Sequence, residues 1–140
     1  VYPTADGDIL IAANQDSVFG RLCEAMGRPD LARDPRYATH TARGRHQAEL
    51  DALIADWTRG FAAAELDALM EAHGVPAGKI YKAPDMLDDP HFRAREAIVR
   101  VEHPEFANIW MQNVFPRLSD TPGRIAWAGE PLGAHNDEIY

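Results

Sequence analysis

The sequence predicts an α+β fold, a small helical domain with a short, mostly antiparallel sheet and a C-terminal arm. Apolar residues recur at helical spacing between residues 16 and 73, and β-like runs stand near the start of the chain and after residue 97. The segment after residue 118 is rich in proline and glycine. With 140 residues, of which 46% are apolar, the chain is long enough to bury one core.

A strand and a helix open the chain. Residues 9–13 (ILIAA) form a short apolar run, which we expect to be a buried strand. Asn14 or Asp16 can cap the helix that follows, and Gly27 supplies its stop. The apolar face of this helix consists of Val18, Phe19, Leu22, Cys23 and Met26.

Two longer helices are predicted over residues 41–58 and 63–73, and the short link between them makes them neighbours. Their buried residues are Leu50, Leu53, Ile54 and Trp57 in the first, and Leu66, Leu69 and Met70 in the second, with Phe61 packed nearby. Ala62 stands where a serine or threonine would form a capping box with Glu65. The second helix therefore starts less favourably, by about 1 kcal/mol.

Shorter elements follow the helices. Residues 75–81 are expected to be extended or turning, because Pro76 and Gly78 exclude a regular helix. Asp89 and Pro90 form a cap and a first helical position, and they predict a short helix over residues 91–95.

A β-hairpin and an arm complete the predicted fold. Residues 98–103 and 109–114 are β-like runs that the intervening residues can connect as a hairpin. In the arm, Ile125 and Trp127 are candidate anchors on another surface. Such a segment makes little core of its own.

The composition argues against several classes of binding partner and indicates a cellular location. The net charge of −8 argues against nucleic acid and anionic membranes as partners, since both select clustered cations. The pairs Arg43 with Arg45 and Arg93 with Arg95 are interpreted as solvated faces. The absence of a long apolar run predicts no membrane span, and the single Cys23 fits a reducing cytoplasm.

No self-contained active site is predicted. Neither Ser17 nor Ser119 lies in a nucleophile elbow, and the sequence has no phosphate-binding loop or dinucleotide fingerprint. Cys23 is interpreted as a buried inert thiol, and Asp89, beside Asp88, as a helix cap rather than half of a catalytic pair. We therefore predict no catalytic and no metal-binding residue, and leave cofactor-binding residues unassigned.

Other chemically capable side chains have structural explanations. His73 precedes the helix-stopping Gly74 and is predicted to interact with the last carbonyls of its helix, and His135 is interpreted as a cap or packing residue. The histidines form no HxH or HExxH pair that would indicate a metal site. Trp57 is assigned to the core, whereas Trp110 and Trp127 are candidates for contact with a partner surface.

A series of motifs then occurs in a fixed order along the chain. They are YPTADG at residues 2–7, ILIAAN at 9–14, FGRLCEAMGRPDLARDPRY at 19–37, AELDALIADWT at 48–58, HGVPAGKIY at 73–81, DDPHFRAR at 88–95 and PLGAHNDEIY at 131–140. Together these motifs strongly resemble the C-terminal portion of the class III CoA-transferases. That family includes formyl-CoA transferase, carnitine CoA-transferase and α-methylacyl-CoA racemase.

The resemblance implies a domain organisation. Family members are longer chains, with a large Rossmann-like CoA-binding domain and a small α+β domain joined by two linkers, and two protomers interlock. By this resemblance, residues 1–118 are the small domain and residues 119–140 are an arm that returns to the large domain. The chain departs from the family pattern at three positions: Ala134 replaces a common acidic residue, Lys79 stands where many relatives have an apolar residue or proline, and Ala62 lacks the cap hydroxyl.

The resemblance also implies a reaction. The family's nucleophile is an aspartate in the large domain, which attacks an acyl-CoA thioester and later carries CoA as an aspartyl thioester. That aspartate lies upstream, so no residue of this chain inherits its role. We expect the chain alone to be inactive and to bind no cofactor. The full-length protein would be a homodimer that takes a CoA thioester as its substrate and a carboxylic acid as acceptor.

Two alternatives stay open at this point. The chain could come from an α-methylacyl-CoA racemase-type enzyme, or it could be a free-standing, non-enzymatic interaction module. We expect a piece of a longer protein, because the sequence starts at Val1 without methionine and stops in what resembles the first turn of a helix, at residues 133–140.

Overall fold

The computed structural model describes residues 1–140, which divide into two compact units, Val1–Ile80 and Tyr81–Tyr140. The first unit contains a three-stranded sheet and the longer helices, and the second contains a two-stranded sheet and short helices. All strand pairings are antiparallel. The predicted α+β fold with a short antiparallel sheet is confirmed.

The first unit places its sheet strands at both ends of a helical segment. Its elements are β1 (Tyr2–Pro3), β2 (Asp8–Ile11), α1 (Asp16–Ala25), a 3₁₀ turn (Leu31–Arg33), α2 (His40–Arg45), α3 (Gln47–Thr58), α4 (Ala63–Ala72) and β3 (Ala77–Lys79). The central strand β2 pairs with β1 on one side and β3 on the other. The segment predicted to be extended or turning therefore contributes the third strand.

Strand β2 is buried on one face only. Ile9 is fully buried and Ile11 is nearly so, whereas Leu10 between them is 48% exposed. Successive side chains of a strand point to opposite faces, and this antiparallel sheet covers one of them. The expected buried strand over residues 9–13 is thus shorter and more one-sided than its apolar sequence indicates.

The core of the first unit lies between the sheet and helices α1, α3 and α4. Its buried apolar residues are Ile9, Ile11, Val18, Phe19, Leu22, Cys23, Leu31, Tyr37, Leu50, Ile54, Leu66, Met70 and Val75. The predicted apolar faces of the helices are confirmed, with Met26, Leu53, Trp57, Phe61 and Leu69 partly buried at the margin. The rings of Trp57 and Phe61 pack at a centroid distance of 5.2 Å.

The prediction of one helix over residues 41–58 is wrong. The helix is interrupted at His46, where φ is −115° and ψ is 23°, and α2 and α3 are separate. Thr39 caps α2 by accepting a hydrogen bond from the Ala42 amide. Arg43 ties α2 to residues outside the helix, while Leu50 anchors α3 in the core. Each helix is therefore fixed by its own contacts, and the chain turns between them.

A distant residue compensates for the missing side-chain cap at the N-terminus of α4. Asp6 Oδ1 accepts a hydrogen bond from the Ala63 amide at 2.8 Å. Glu65 reaches back to the Ala62 amide at 3.2 Å, as half of a capping box would. The missing cap hydroxyl of Ala62 is thus replaced by a carboxylate distant in sequence.

We expect Asp6→Ala to lower the melting temperature by a few degrees at pH 7, because the Ala63 amide loses its acceptor. The bond from Ala63 holds the pKa of Asp6 below its ordinary value. A carboxyl whose pKa is depressed on folding stabilises the fold above the unfolded pKa, about 4. That contribution is lost as the pH falls through the pKa of Asp6 in the folded protein. The difference in melting temperature between the unchanged protein and Asp6→Ala should therefore be smaller at pH 3.

Thermal unfolding followed by circular dichroism checks this prediction. Asp8→Ala is the matched control, because Asp8 is an exposed carboxylate only two residues away, and its backbone carbonyl rather than its side chain accepts from Ile80. Equal melting temperatures for the two variants at pH 7 would contradict the capping role of Asp6.

The second unit begins with two short helices and continues into a hairpin. Its elements are α5 (Ala83–Asp88), α6 (Pro90–Ala94), β4 (Ile98–His103), β5 (Ala107–Gln112) and a terminal turn of helix, α7 (Asn136–Ile139). Asp89 caps α6 by accepting from the Phe92 amide at 2.9 Å, as predicted. The predicted hairpin is confirmed, with Val99 opposite Met111, and its turn is shorter than expected because β5 starts at Ala107.

The C-terminal segment forms no strand and exposes large apolar side chains. Trp127 is 69% exposed in this segment, and Trp110 on β5 is 56% exposed, whereas Ile125 is partly buried. This exposure is compatible with contact to another surface, and the docking role of residues 119–140 stays a prediction. None of the helices combines the length and the apolar character that a membrane crossing requires.

Candidate functional site

A groove of about 650 Å³ in the first unit lies beside β1, β2, α1, α2 and α3. We call it the N-terminal groove. Its polar side chains are Tyr2, Asn14, His40, Arg43, Gln47 and Asp51, and its larger apolar ones are Leu10, Ile11, Phe19, Leu22, Leu50 and Ile54. The groove therefore combines an apolar floor from the core helices with a polar border.

Arg43 is the buried cation of this groove. Its Nη1 donates to the Tyr37 carbonyl at 2.8 Å, and its Nη2 donates to the Asn14 carbonyl and to Asp16 Oδ1, both at 2.7 Å. The guanidinium also lies over the ring of Phe19, 4.5 Å from its centroid. Arg43 thus joins α2 to the segment that precedes α1 and to the start of α1 itself. The interpretation of Arg43 as part of a solvated face is therefore wrong.

The other charged groups at the groove are paired as well. Tyr2 donates to Asp51 Oδ1 at 2.7 Å, and burial, with the Asp51 carboxylate in addition, raises the pKa of Tyr2 far above its usual range. Hydrogen bonding from Arg43 lowers the pKa of Asp16. His40 Nδ1 lies 3.2 Å from the Asn14 carbonyl oxygen. The groove consequently presents an apolar surface, while its charged groups form hydrogen bonds that connect the elements around it.

A second concave surface lies within the second unit, beside the hairpin. We call it the hairpin hollow. Its volume is about 420 Å³, and it is lined by Met86, His91, Phe92, Arg95, Ala97, Ile98, Gln112 and Phe115. The short helices α5 and α6 and the first and last residues of the hairpin therefore form its walls.

The side chains that the sequence analysis considered for catalysis or metal binding are buried or form local contacts. Cys23 is fully buried, and burial raises the pKa of its thiol to about 11, which fits the predicted inert thiol. His73 Nδ1 lies 3.0 Å from the Leu69 carbonyl at the end of α4, and His135 Nδ1 lies 3.2 Å from Glu138. Both contacts are local, within four residues of chain.

The adjacent carboxylates of Asp88 and Asp89 also have separate partners. Asp88 pairs with Arg93 at 2.9 Å. Asp89 accepts from the Phe92 amide and from the Tyr81 hydroxyl, and the bond from Tyr81 is the main reason that the pKa of Asp89 is lowered. The two carboxyl groups thus point to different partners.

Sequence reasoning missed Arg43, and no local pattern could have revealed it. Arg43 and Arg45 are two positions apart in the same helix, yet Arg43 is buried and Arg45 is exposed. The carbonyl of Asn14 and the carboxylate of Asp16 lie 29 and 27 residues away in the chain. Only the packing of α2 against α1 brings these groups together.

Comparison with known proteins gives a consistent result. Residues 1–136 match the model of CoA-transferase family III. The chain is 57% identical over its whole length to a succinyl-CoA–D-citramalate CoA-transferase of Chloroflexus aurantiacus and covers 35% of that protein. It is 34% identical to a succinate–glutarate CoA-transferase of Agrobacterium fabrum, covering 99% of this chain and 35% of the relative.

Solved structures show the same fold. A CAIB/BAIF family protein from Brucella suis superposes with a TM-score of 0.79 at 30% identity, over 99% of this chain and 35% of that one. The chain thus spans about a third of the length of the relatives that it matches. With a family match over nearly all of its residues, the chain belongs to CoA-transferase family III.

Proposed function

We propose that this chain is part of an acyl-CoA transferase that moves CoA between an acyl-CoA and a carboxylic acid. The observation that carries the proposal is the 57% identity, over the whole chain, to a transferase named for succinyl-CoA and D-citramalate. In this proposal residues 1–118 form the small domain that covers the active site. Residues 119–140 form the arm that docks on a large upstream domain, and the chain by itself binds no cofactor.

The substrates that we propose follow from the relatives' names. Besides the transferase named for D-citramalate, the relatives include succinyl-CoA–L-malate CoA-transferase subunits, 33% identical, and the succinate–glutarate enzyme. These names share a four-carbon succinyl group or a short dicarboxylic acid. We therefore propose succinyl-CoA as the donor and a short dicarboxylic acid such as D-citramalate as the acceptor.

The proposed chemistry proceeds through an aspartate of the upstream domain. Its carboxylate attacks the thioester carbonyl, the CoA thiolate leaves, and a mixed anhydride forms. The thiolate then attacks the aspartyl carbonyl and releases the first acid, and the acceptor acid takes CoA by the reverse steps. Anhydrides and thioesters hydrolyse in water, so a covering domain contributes by excluding water. The first unit, which has a continuous buried core, suits this role.

We further propose that the full-length protein is cytoplasmic and forms a homodimer. The relatives named as α and β subunits support assembly into oligomers. Light scattering of the full-length protein measures its mass directly.

An assay of the full-length protein tests the proposed reaction. We expect full-length protein with succinyl-CoA and D-citramalate to produce citramalyl-CoA and succinate, detected by liquid chromatography. The isolated 140-residue chain should give no product, because the proposed nucleophile lies outside it. Transfer by the isolated chain would contradict the proposed location of the nucleophile, and hydrolysis without transfer by the full-length protein would contradict the reaction.

A second measurement separates transfer from racemisation, which the relatives' names do not favour. A racemase exchanges the α-proton of a 2-methylacyl-CoA in deuterated water, since it works by proton abstraction. We expect no such exchange. Exchange without CoA transfer would assign the chain to the racemase branch, and the absence of both reactions would favour a non-enzymatic module.

A further inference from the structure

The hairpin hollow is apolar over most of its lining. Met86 and Phe92 contribute from the short helices, Ile98 from the start of β4, and Phe115 from the segment after β5. A volume of about 420 Å³ is within the range of small-molecule sites. The hollow is thus large enough for a short hydrocarbon chain, which would be removed from water there.

The charge at this hollow has one sign. Residues 81–140 contain five aspartates and five glutamates, yet no acidic side chain lines the hollow, whereas Arg95 does. An anion would therefore meet positive charge at this border of an otherwise acidic unit.

Arg95 differs from three other arginines of the second unit, whose guanidinium groups have charged or aromatic partners. Arg93 pairs with Asp88 at 2.9 Å, Arg117 pairs with Glu96 at 3.0 Å, and Arg100 lies over the ring of Trp110. The exposed side chain of Arg95 forms no ion pair or ring contact. Its guanidinium fork is therefore available, and the fork matches the two oxygens of a carboxylate.

We propose that the hairpin hollow binds a small aliphatic carboxylate. The hydrocarbon part lies against Met86, Phe92 and Ile98, and the carboxylate binds Arg95. A carboxylate adds an ion pair with Arg95 that a neutral apolar ligand cannot form, and an inorganic anion would leave the apolar walls exposed to water. The inference does not depend on the proposed transfer reaction, because binding is measured without any CoA thioester.

Hexanoate titration of the full-length protein, labelled with ¹³C at its methionine methyl groups, tests the proposal. The Met86 methyl signal, assigned with Met86→Leu, should shift and saturate as hexanoate is added. The signal of Met70, which is buried in the core of the first unit, should stay in place. Hexan-1-ol, which has the same chain without the charge, should bind about threefold more weakly, as expected for the loss of an ion pair with an exposed arginine.

Variants of two arginines identify the group that binds the carboxylate. Arg95→Gln should weaken hexanoate binding about threefold, to the level of hexan-1-ol. Arg95→Lys keeps the charge and should retain the preference for hexanoate. Arg124→Gln is the matched control, because it removes the same charge from an exposed arginine that does not line the hollow.

Several outcomes would overturn the proposal. One is a Met86 signal that does not respond to hexanoate, which is the result expected if other residues of the full-length protein fill the hollow. The others are equal binding of hexan-1-ol and hexanoate, and an unchanged affinity for hexanoate in Arg95→Gln. An unshifted signal of Met111, which lies opposite Val99 in the hairpin of the second unit and does not line the hollow, shows that this unit is intact in each variant. A protein that transfers CoA but fails this titration would overturn only the present inference, whereas binding without transfer would overturn only the proposed function.

Discussion

Replacing Arg43 with methionine should lower the free energy of unfolding of the first unit by about 3 kcal/mol. Methionine preserves much of the apolar stem that packs near Phe19, so the loss reports on the guanidinium. Arg43 is only 6% exposed, and it donates to the buried segment around Tyr37. Removing the guanidinium leaves the Tyr37 carbonyl without this donor, and a buried unpaired carbonyl costs about 1–3 kcal/mol.

The remaining contacts of Arg43 contribute less to the free energy of unfolding than its bond to the Tyr37 carbonyl. The Asn14 carbonyl keeps His40 Nδ1 at 3.2 Å, so it retains a neighbour that can donate. The Asp16 side chain is 56% exposed and can be solvated after the substitution, which makes its ion pair a small contribution. The cation–π contact with Phe19 adds to the loss, because the ring is buried.

Urea unfolding of the 140-residue chain measures the effect. A background with Trp110→Phe and Trp127→Phe leaves Trp57, in the first unit, as the fluorescent reporter. Arg45→Met is the matched control, since Arg45 is an exposed arginine of the same helix, and it should change stability by less than about 0.5 kcal/mol. Equal effects of the two substitutions would contradict the structural role of Arg43.

Truncation of Ile9 should be as costly, at about 3 kcal/mol, whereas truncation of Leu10 should cost less than about 1 kcal/mol. Ile9 is fully buried in the core, so Ile9→Ala removes buried methyl groups and leaves a cavity. Leu10 points to the other face of β2 and is 48% exposed. The two neighbouring residues have the same number of side-chain carbons, which isolates the effect of the face.

The same urea experiment on Ile9→Ala and Leu10→Ala checks this contrast. It also tests the register, in which Ile9 lies opposite Lys79 and Leu10 lies opposite Gly78. A shift by one residue would exchange the faces of the strand. A larger loss for Leu10→Ala than for Ile9→Ala would therefore show that the strand has the other register.

Helix periodicity made the three main helices of the first unit predictable in type and in buried face. Leu66 and Met70, for example, are both fully buried, as their spacing of four residues in α4 predicts. Local chemistry also located helix ends, because Gly27 and Gly74 adopt positive φ values of 66° and 62°. These features depend on neighbours in the sequence, which is why a single chain reveals them.

Features that depend on distant residues were not predictable. The break at His46 follows from separate anchors of α2 and α3, and the cap of α4 comes from Asp6, 57 residues away from Ala63. The exposed face of β2 depends on which elements cover the sheet, and an apolar run of five residues does not specify this. The polar border of the N-terminal groove likewise combines residues from four separate segments.

By itself, the sequence determined the α+β class, the buried helix faces, the hairpin and, through its ordered motifs, the family. Those properties are encoded locally, in periodicity, helix-end chemistry and contiguous motifs. Only the tertiary structure decided that Arg43 is buried and paired while Arg45 is solvated, and that Arg95 borders an apolar hollow. Arginines have the same chemistry wherever they occur along a chain, so their roles depend on the partners that folding places around each guanidinium.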